Sequence, residues 1–262
     1  MLLLQLKEND LLTSTEIQII SDLSLYLHDC LLILGKGILP GVRGTELQRQ
    51  LEQLLIKKKS RIHGASFDIN VNHRVCHGPP NDSKFRNNDI VTLDLVFEKD
   101  GLFADSAWTF ICGDRSPENE ALLQKAWDVS RRAYCSIRTG GNSLEMKKSV
   151  HKELTGTVYE LLEEACGHGI GKSMHEPPDF SYSLFNNNDI QWNPGMVLTI
   201  EPVIAYRGAK LICSKEKEYY TDNKSPSAYF EHMVAINENG PQCLNIPQIK
   251  DQGSIDIFSE II

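Results

Sequence analysis

The 262-residue chain has no Cys-x-x-Cys pair; its seven cysteines, at 30, 76, 112, 135, 166, 213 and 243, stand singly and are odd in number. That excludes a disulfide scaffold and a zinc ribbon, and it fits a reducing compartment with most thiols serving as small core residues. Positive charge is also scarce. Lys and Arg number 27 against 35 Asp and Glu, a formal charge of −8, whereas neutralising phosphates takes a basic face. No specific nucleic-acid ligand is therefore expected, and small molecules or peptides are the expected partners. No uncharged apolar stretch approaches the roughly 20 residues that cross a bilayer. The apolar opening Met1-Leu2-Leu3-Leu4 lacks a basic leader and runs into Lys7, Glu8 and Asp10, so neither export nor a membrane is expected, and the location expected is cytoplasmic. Sequence repeats are absent too. What remains, 41% apolar and 24% charged residues, suits one large globular domain or two closely packed halves with a sizeable core.

Periodicity supplies the elements. Thr13 and Glu16 fit a capping box, and Ile17, Ile20, Leu23, Leu27, Cys30, Leu31 and Leu34 recur at helical spacing, so residues 15 to 34 are expected to form a helix ended by Gly35. After a turn at Pro40-Gly41, Thr45 and Gln48 open a second helix whose buried side is Leu47, Leu51, Leu54 and Leu55. The cluster Lys57-Lys58-Lys59-Arg61 complements its C-terminus in solvent. Residues 89 to 97 and 102 to 112 form a hairpin around Lys99-Asp100-Gly101. Ser116-Pro117 starts a helix near 117 to 138, which Gly140-Gly141 terminates, and a fourth helix is expected from about Ser143 to Glu164. Met196 to Ala205 and Tyr229 to Ile236 are strand-like. Helix, helix, strands thus occurs twice, about residues 113 to 116, and the fold class is α+β with a central sheet covered by helices.

Three of these strand-like runs contain an acid where a core residue belongs: Asp94 between Leu93 and Leu95, Glu201 after Leu198-Thr199-Ile200, and Glu231 after Tyr229-Phe230. One such acid could alternate outward into water. Three together demand cations, protons or metals, because burying an unpartnered carboxylate costs several kcal/mol or more. Asp105 adds a fourth, eleven residues past Asp94, a spacing that can return it beside Asp94 across a hairpin.

The stretch Cys166 to Pro178 carries Gly167, His168, Gly169, Gly171 and His175. Its glycines disfavour a helix, and it lacks the Gly-Lys-Ser/Thr ending of a phosphate loop at the right spacing. Instead they let backbone approach closely while the histidines project imidazoles. Four carboxylates and a neutral imidazole suit two divalent ions such as Mn, Fe, Co or Zn. Two such ions would take the formal charge from −8 to −4. At the roughly 3.5–4 Å separation of two-metal sites they generate hydroxide from a shared water near neutral pH.

Val75-Cys76-His77-Gly78, Thr92-Leu93-Asp94, Ala104-Asp105-Ser106, Cys166 to Pro177, Pro194 to Pro202 and Phe230-Glu231-His232 occur in this order within residues 15 to 246. Jointly they resemble the successive motifs of the type I methionine aminopeptidases. The resemblance implies the pita-bread fold: a single catalytic domain over 1–262 with two pseudo-symmetric halves, about 15–112 and 116–246, and a curved central antiparallel sheet. It implies Asp94, Asp105, His168, Glu201 and Glu231 as ligands of two divalent metals, with Asp105 and Glu231 bridging. Glu201 would accept a proton from the attacking water, His77 would contact the scissile amide near its nitrogen, and His175 would stabilise the oxyanion. The reaction implied is removal of the first residue, methionine foremost, from peptides and nascent chains, hydroxide attacking the first peptide carbonyl. A monomer with a transient contact with the ribosome is expected. His232, one residue past a ligand on a strand, should point the opposite way.

Departures from the family concern the first-residue pocket. A Gly-Tyr/Phe-Pro-x-Ser stretch is replaced by the proline-free Gly64-Ala65-Ser66-Phe67-Asp68; the aromatic before the second catalytic histidine is Met174; and the tryptophan ahead of Glu231 is missing, with Lys217, Glu218, Tyr219 and Tyr220 nearby. Met174 is expected to make the substrate pocket more deformable. A proline-directed peptidase of the same fold and a non-catalytic binding module are the alternatives; five retained ligands oppose the second.

Overall fold

The computed structural model describes residues 11–58, 61–186 and 189–246; the apolar opening at Met1 to Leu4 and Lys59 of the basic cluster lie outside the described residues. In chain order the elements are α1 (Ser14–Gly35), α2 (Gly44–Lys58), β1 (Ile62–Val71), β2 (Arg74–Cys76), β3 (Ile90–Lys99), β4 (Leu102–Ile111), α3 (Pro117–Ser136), α4 (Ser143–Leu154), β5 (Tyr159–Leu161), β6 (Cys166–Gly169), β7 (Glu176–Ser181), β8 (Val197–Ile200), β9 (Ile204–Tyr206), β10 (Leu211–Cys213), β11 (Tyr219–Thr221), β12 (Ser227–Ala228), β13 (His232–Asn237) and β14 (Gly240–Cys243).

The capping box of α1 forms as expected: Thr13 N–H donates to Glu16 Oε2 (2.8 Å), and Glu16 N–H to Thr13 Oγ1 (3.2 Å). By length and composition α1 could cross a membrane. Here it packs on β3 and β4, burying Ile20, Leu23, Leu27, Leu31 and Leu34. Gly35 is its last helical residue, not a left-handed cap; the Phe110 ring fills the space a side chain would need. At α2 it is Glu46 that reaches back to the Arg43 N–H (2.8 Å), while Thr45 Oγ1 donates to Asp82 (2.7 Å).

Two expectations are corrected. The fourth helix ends at Leu154, not Glu164, because Thr155 is already extended and Gly156 turns the chain at φ +78°. Residues 159–161 then pair as β5 with β9. The run from Met196 to Ala205 is two strands, β8 and β9, separated at Glu201-Pro202, where proline has no N–H for a ladder.

Strands β1-β3-β4 form one antiparallel sheet and β14-β13-β8-β6-β7 another. They meet where Phe230 bridges Trp108, Glu231 N–H donates to Ala107 O (2.7 Å) and Ser106 Oγ donates to Glu231 O (2.9 Å). The helical side of β3 carries Leu93, Leu95 and Phe97, all fully buried. Alternation places Thr92, Asp94 and Val96 on the other side. The smaller sheets β10-β11-β2 and β12-β9-β5 complete the strands.

Candidate active site

Register brings the acids together. Asp94 pairs with Ala107 and Asp105 with Val96, so Asp94 and Asp105 are diagonal neighbours on one face of the β3–β4 hairpin. Glu231 reaches that face through the bond of its N–H to Ala107, and His168 arrives on β6 beside β8, which Glu201 follows. Asp105, His168 and Glu231, all buried, offer ligand atoms that lie within 4.8 Å of one another. Glu201 Oε1 is 3.6 Å from His168 Nε2. Asp94, Asp105, His168, Glu201 and Glu231 all line one cavity of about 320 Å³, together with His77, Met174 and His175. Every residue singled out for the site therefore meets there.

Local structure explains each placement. A Cβ on Gly167 would sit 2.6 Å from Thr199 O and on Gly169 2.5 Å from Pro177 O, so only glycine lets β6 run this close to its neighbours and bring His168 inward. His168 N–H donates to Thr199 Oγ1 (3.1 Å), whose hydroxyl donates to Glu201 Oε1 (2.8 Å). The His168 Nδ1 lies 2.9 Å from Gly169 O, so Nδ1 carries the proton and Nε2 is left for a ligand's role. Tyr229 Oη donates to Asp94 Oδ2 (3.1 Å), and Glu201 N–H donates to Tyr182 Oη (2.7 Å). His77 holds its backbone at φ +60°, a sparsely populated conformation for a non-glycine residue, and its ring lies 5.5 Å from that of Tyr219. The His175 ring is 4.3 Å from that of His168.

The acids perturb one another. Burial, then the Asp68 charge, pushes Asp94 up to about 7 despite the Tyr229 bond. Burial, eased by Thr199 and reinforced by Asp94, pushes Glu201 up to about 8. Burial and neighbouring acids hold Asp105 and Glu231 well above the carboxylate range. His168 is lowered to about 4, chiefly by burial. Asp105 Oδ1 is buried with no hydrogen-bond partner among the described residues. An orphaned carboxylate oxygen among mutually repelling acids and a neutral imidazole is a donor set that fits divalent metal ions.

Sequence patterning missed Thr199, Tyr182 and Tyr229, which orient the acids, and Asn245, whose Nδ2 donates to Ser106 Oγ (2.8 Å) and Glu231 O (2.9 Å). Only tertiary pairing identifies them. Asp68, within the proline-free stretch, stands directly across from Asp94 on β1 and lines the cavity; its even spacing from Ser66 and Asn70 is the signal the sequence carries for it. His232 points away from the site, enclosed by Trp108, Trp127 and Tyr134.

Comparison with known proteins agrees with this geometry. Residues 24–238 match the model of metallopeptidase family M24. The chain is 30% identical over 218 residues to the methionine aminopeptidase of Escherichia coli K12, covering 79% of this chain and 82% of that one. Its fold is similar to the crystal structure of methionine aminopeptidase from Rickettsia prowazekii, with a TM-score of 0.84 and 23% identity over 90% of this chain and 99% of that one. The prolidase from Pyrococcus furiosus is also similar, with a TM-score of 0.73 and 23% identity over 91% of this chain and 66% of that one. The α+β architecture is thus the pita-bread fold these proteins share. With a family match across most of its length and buried acids converging where a metallopeptidase needs them, the chain belongs to metallopeptidase family M24.

Proposed function

We propose that this protein is a two-metal aminopeptidase that removes the first residue, methionine foremost, from peptides and nascent proteins. One observation carries the reading: ligand atoms of Asp105, His168 and Glu231 converge within 4.8 Å, with Asp105 Oδ1 unpaired among the described residues. Asp94, Asp105, His168, Glu201 and Glu231 would hold two divalent ions, of Co, Mn, Fe or Zn. When bound, such ions supply Lewis acidity and make a hydroxide nucleophile accessible near neutral pH.

The chain's own residues do the rest. Glu201 takes the proton of the attacking water on the oxygen that Thr199 does not occupy. His175 donates to the oxygen that gains charge at the scissile carbonyl. His77, at the rim, contacts the amide near its nitrogen. Tyr229 and Asn245 fix Asp94 and the Glu231 backbone, so the carboxylates need little rearrangement on binding. The working unit is one catalytic domain of two halves, about 15–112 and 116–246, acting in the cytoplasm as a monomer that meets the ribosome transiently.

The test is a panel of Xaa-Ala-Ser tripeptides and Xaa-Pro dipeptides offered to metal-reconstituted protein, with a chelator control. Release of free methionine that stops with chelator is expected. Cleavage confined to Xaa-Pro peptides would replace this reading with that of a proline-directed peptidase.

A further inference from the structure

The cavity has a rim and an enclosed end. Glu164, Cys166, His175 and Asp179 at the rim are exposed, whereas Val75 and Val96 are buried and Asp68 is half-buried. An aminopeptidase must seat the first residue in the enclosed end and let the rest of the substrate leave by the rim. On the aminopeptidase reading, Val75, Val96 and Asp68 are among the lining residues available to the first side chain.

Asp68 is unusual company for a thioether. Its position directly across from Asp94 puts it on the cavity face of the sheet, one strand spacing, about 4.8 Å, farther out than the ligand carboxylate. Its side chain is only 19% exposed, and among the described residues the basic nitrogen within 4 Å is His77 Nδ1, 3.9 Å away on a ring that is 58% exposed. It accepts no hydrogen bond from the described residues. The neighbouring Arg74 is turned elsewhere, 3.6 Å from Glu218 and donating to Ile69 O at 2.7 Å. No lysine or arginine lines the cavity among the described residues. Two divalent ions would neutralise Asp94, Asp105, Glu201 and Glu231, whereas Asp68 would keep only the long-range influence of His77 and of Arg74, the latter shared with Glu218. A half-buried carboxylate without a donor gains from any ligand that brings one, and most from a cation.

We propose that Asp68 is a specificity-determining residue that lets the first-residue pocket accept a linear side chain ending in a cation, such as lysine or ornithine, alongside methionine. The methylenes lie along Val75 and Val96, and the terminal ammonium bonds the Asp68 carboxylate. This inference rests on the aminopeptidase reading.

Norleucine and ornithine side chains have the same length and shape and differ only in a terminal methyl or ammonium, so their ratio isolates the charge. Metal-reconstituted full-length protein is assayed on Met-Ala-Ser, norleucyl-Ala-Ser and ornithyl-Ala-Ser. The expected result is that kcat/KM for ornithine falls no more than tenfold below that for norleucine, and that Asp68→Asn lowers the ornithine-to-norleucine ratio at least tenfold further, with Asp68→Glu retaining more of it. Methionine and norleucine released with ornithine disfavoured more than tenfold in the unmodified protein would overturn the role of Asp68 alone, without recourse to any variant. A loss in Asp68→Asn that is equal for all three peptides would also overturn it. Release from none of the three would overturn the aminopeptidase reading and this inference with it.

Discussion

Two buried histidines show how local chemistry separates a candidate ligand from a core residue. His168 spends Nδ1 on its neighbour's carbonyl, is kept neutral by burial and aims Nε2 at the acids, which is the state a metal requires. His232 is also neutral, lowered to about 3 by burial, yet its ring is packed among aromatics on the opposite side of β13. Composition cannot distinguish them; alternation along a strand can, and on that ground His232 was legible as a non-ligand. His175 is different again, exposed at the rim with its ring tilted against that of His168. On the proposed reading its replacement by alanine should leave metal content unchanged while kcat falls about 10²–10³-fold, as loss of one oxyanion donor does. Asp105→Ala and Glu231→Ala should instead lose metal and activity together. Elemental analysis beside steady-state kinetics separates the cases: loss of metal in His175→Ala with turnover per metal intact would make that histidine a ligand.

At the scale of elements, legibility followed from how local the determining forces are. Helix α1 was readable to within a residue because its capping box and apolar stripe lie in the sequence itself. The end of α4 was not, because Leu161 and Leu162 continue a helical pattern and only the pairing of β5 with β9 makes Leu161 strand. The break at Glu201-Pro202 is likewise decided by which sheet the chain joins next. Strand β6 sits between these cases: its glycines announced close approach, and the structure supplies what is approached. Gly167→Ala would place a methyl 2.5 Å from the Phe180 ring and 2.6 Å from Thr199 O. Relief of that overlap should cost about 1–3 kcal/mol, or roughly 2–4 °C of Tm per kcal/mol. Because Thr199 also holds the His168 N–H, metal affinity should fall as well. Calorimetry and a metal titration check both, and a variant with unaltered Tm and affinity would show that β6 is not tightly packed there.

Across the whole molecule, the site was legible because four acids interrupt segments otherwise fit for a core, a conflict that the sequence displays and only metal or protons relieve. Without metal, protons must do so, and the pKa shifts give the sign. Asp94 is raised to about 7 and Glu201 to about 8, with Asp105 and Glu231 higher than the carboxylate range. The unfolded chain releases these protons near pH 4. The folded metal-free protein therefore binds more protons than the unfolded one as pH rises from about 4, and it loses stability until the folded-state pKa values are passed. His168 and His232, lowered to about 4 and about 3, work the other way, but only below about pH 6.5, where the unfolded imidazoles are charged. Between pH 6.5 and 8 the carboxylates outweigh the fading histidine contribution, and Cys30, Cys76 and Cys243, whose pKa values burial raises, act in the same direction as the carboxylates near pH 8. The Tm of metal-free protein should fall across that window by on the order of 5–10 °C. Saturating Mn²⁺ should abolish the fall, because deprotonated ligands bind metal better and binding to the folded state alone raises Tm. Differential scanning calorimetry at several pH values, with chelator and with Mn²⁺, makes the comparison. A metal-free Tm that is flat from pH 6.5 to 8 would mean that the acids are not held together against their repulsion, and would remove the physical basis of the metal site.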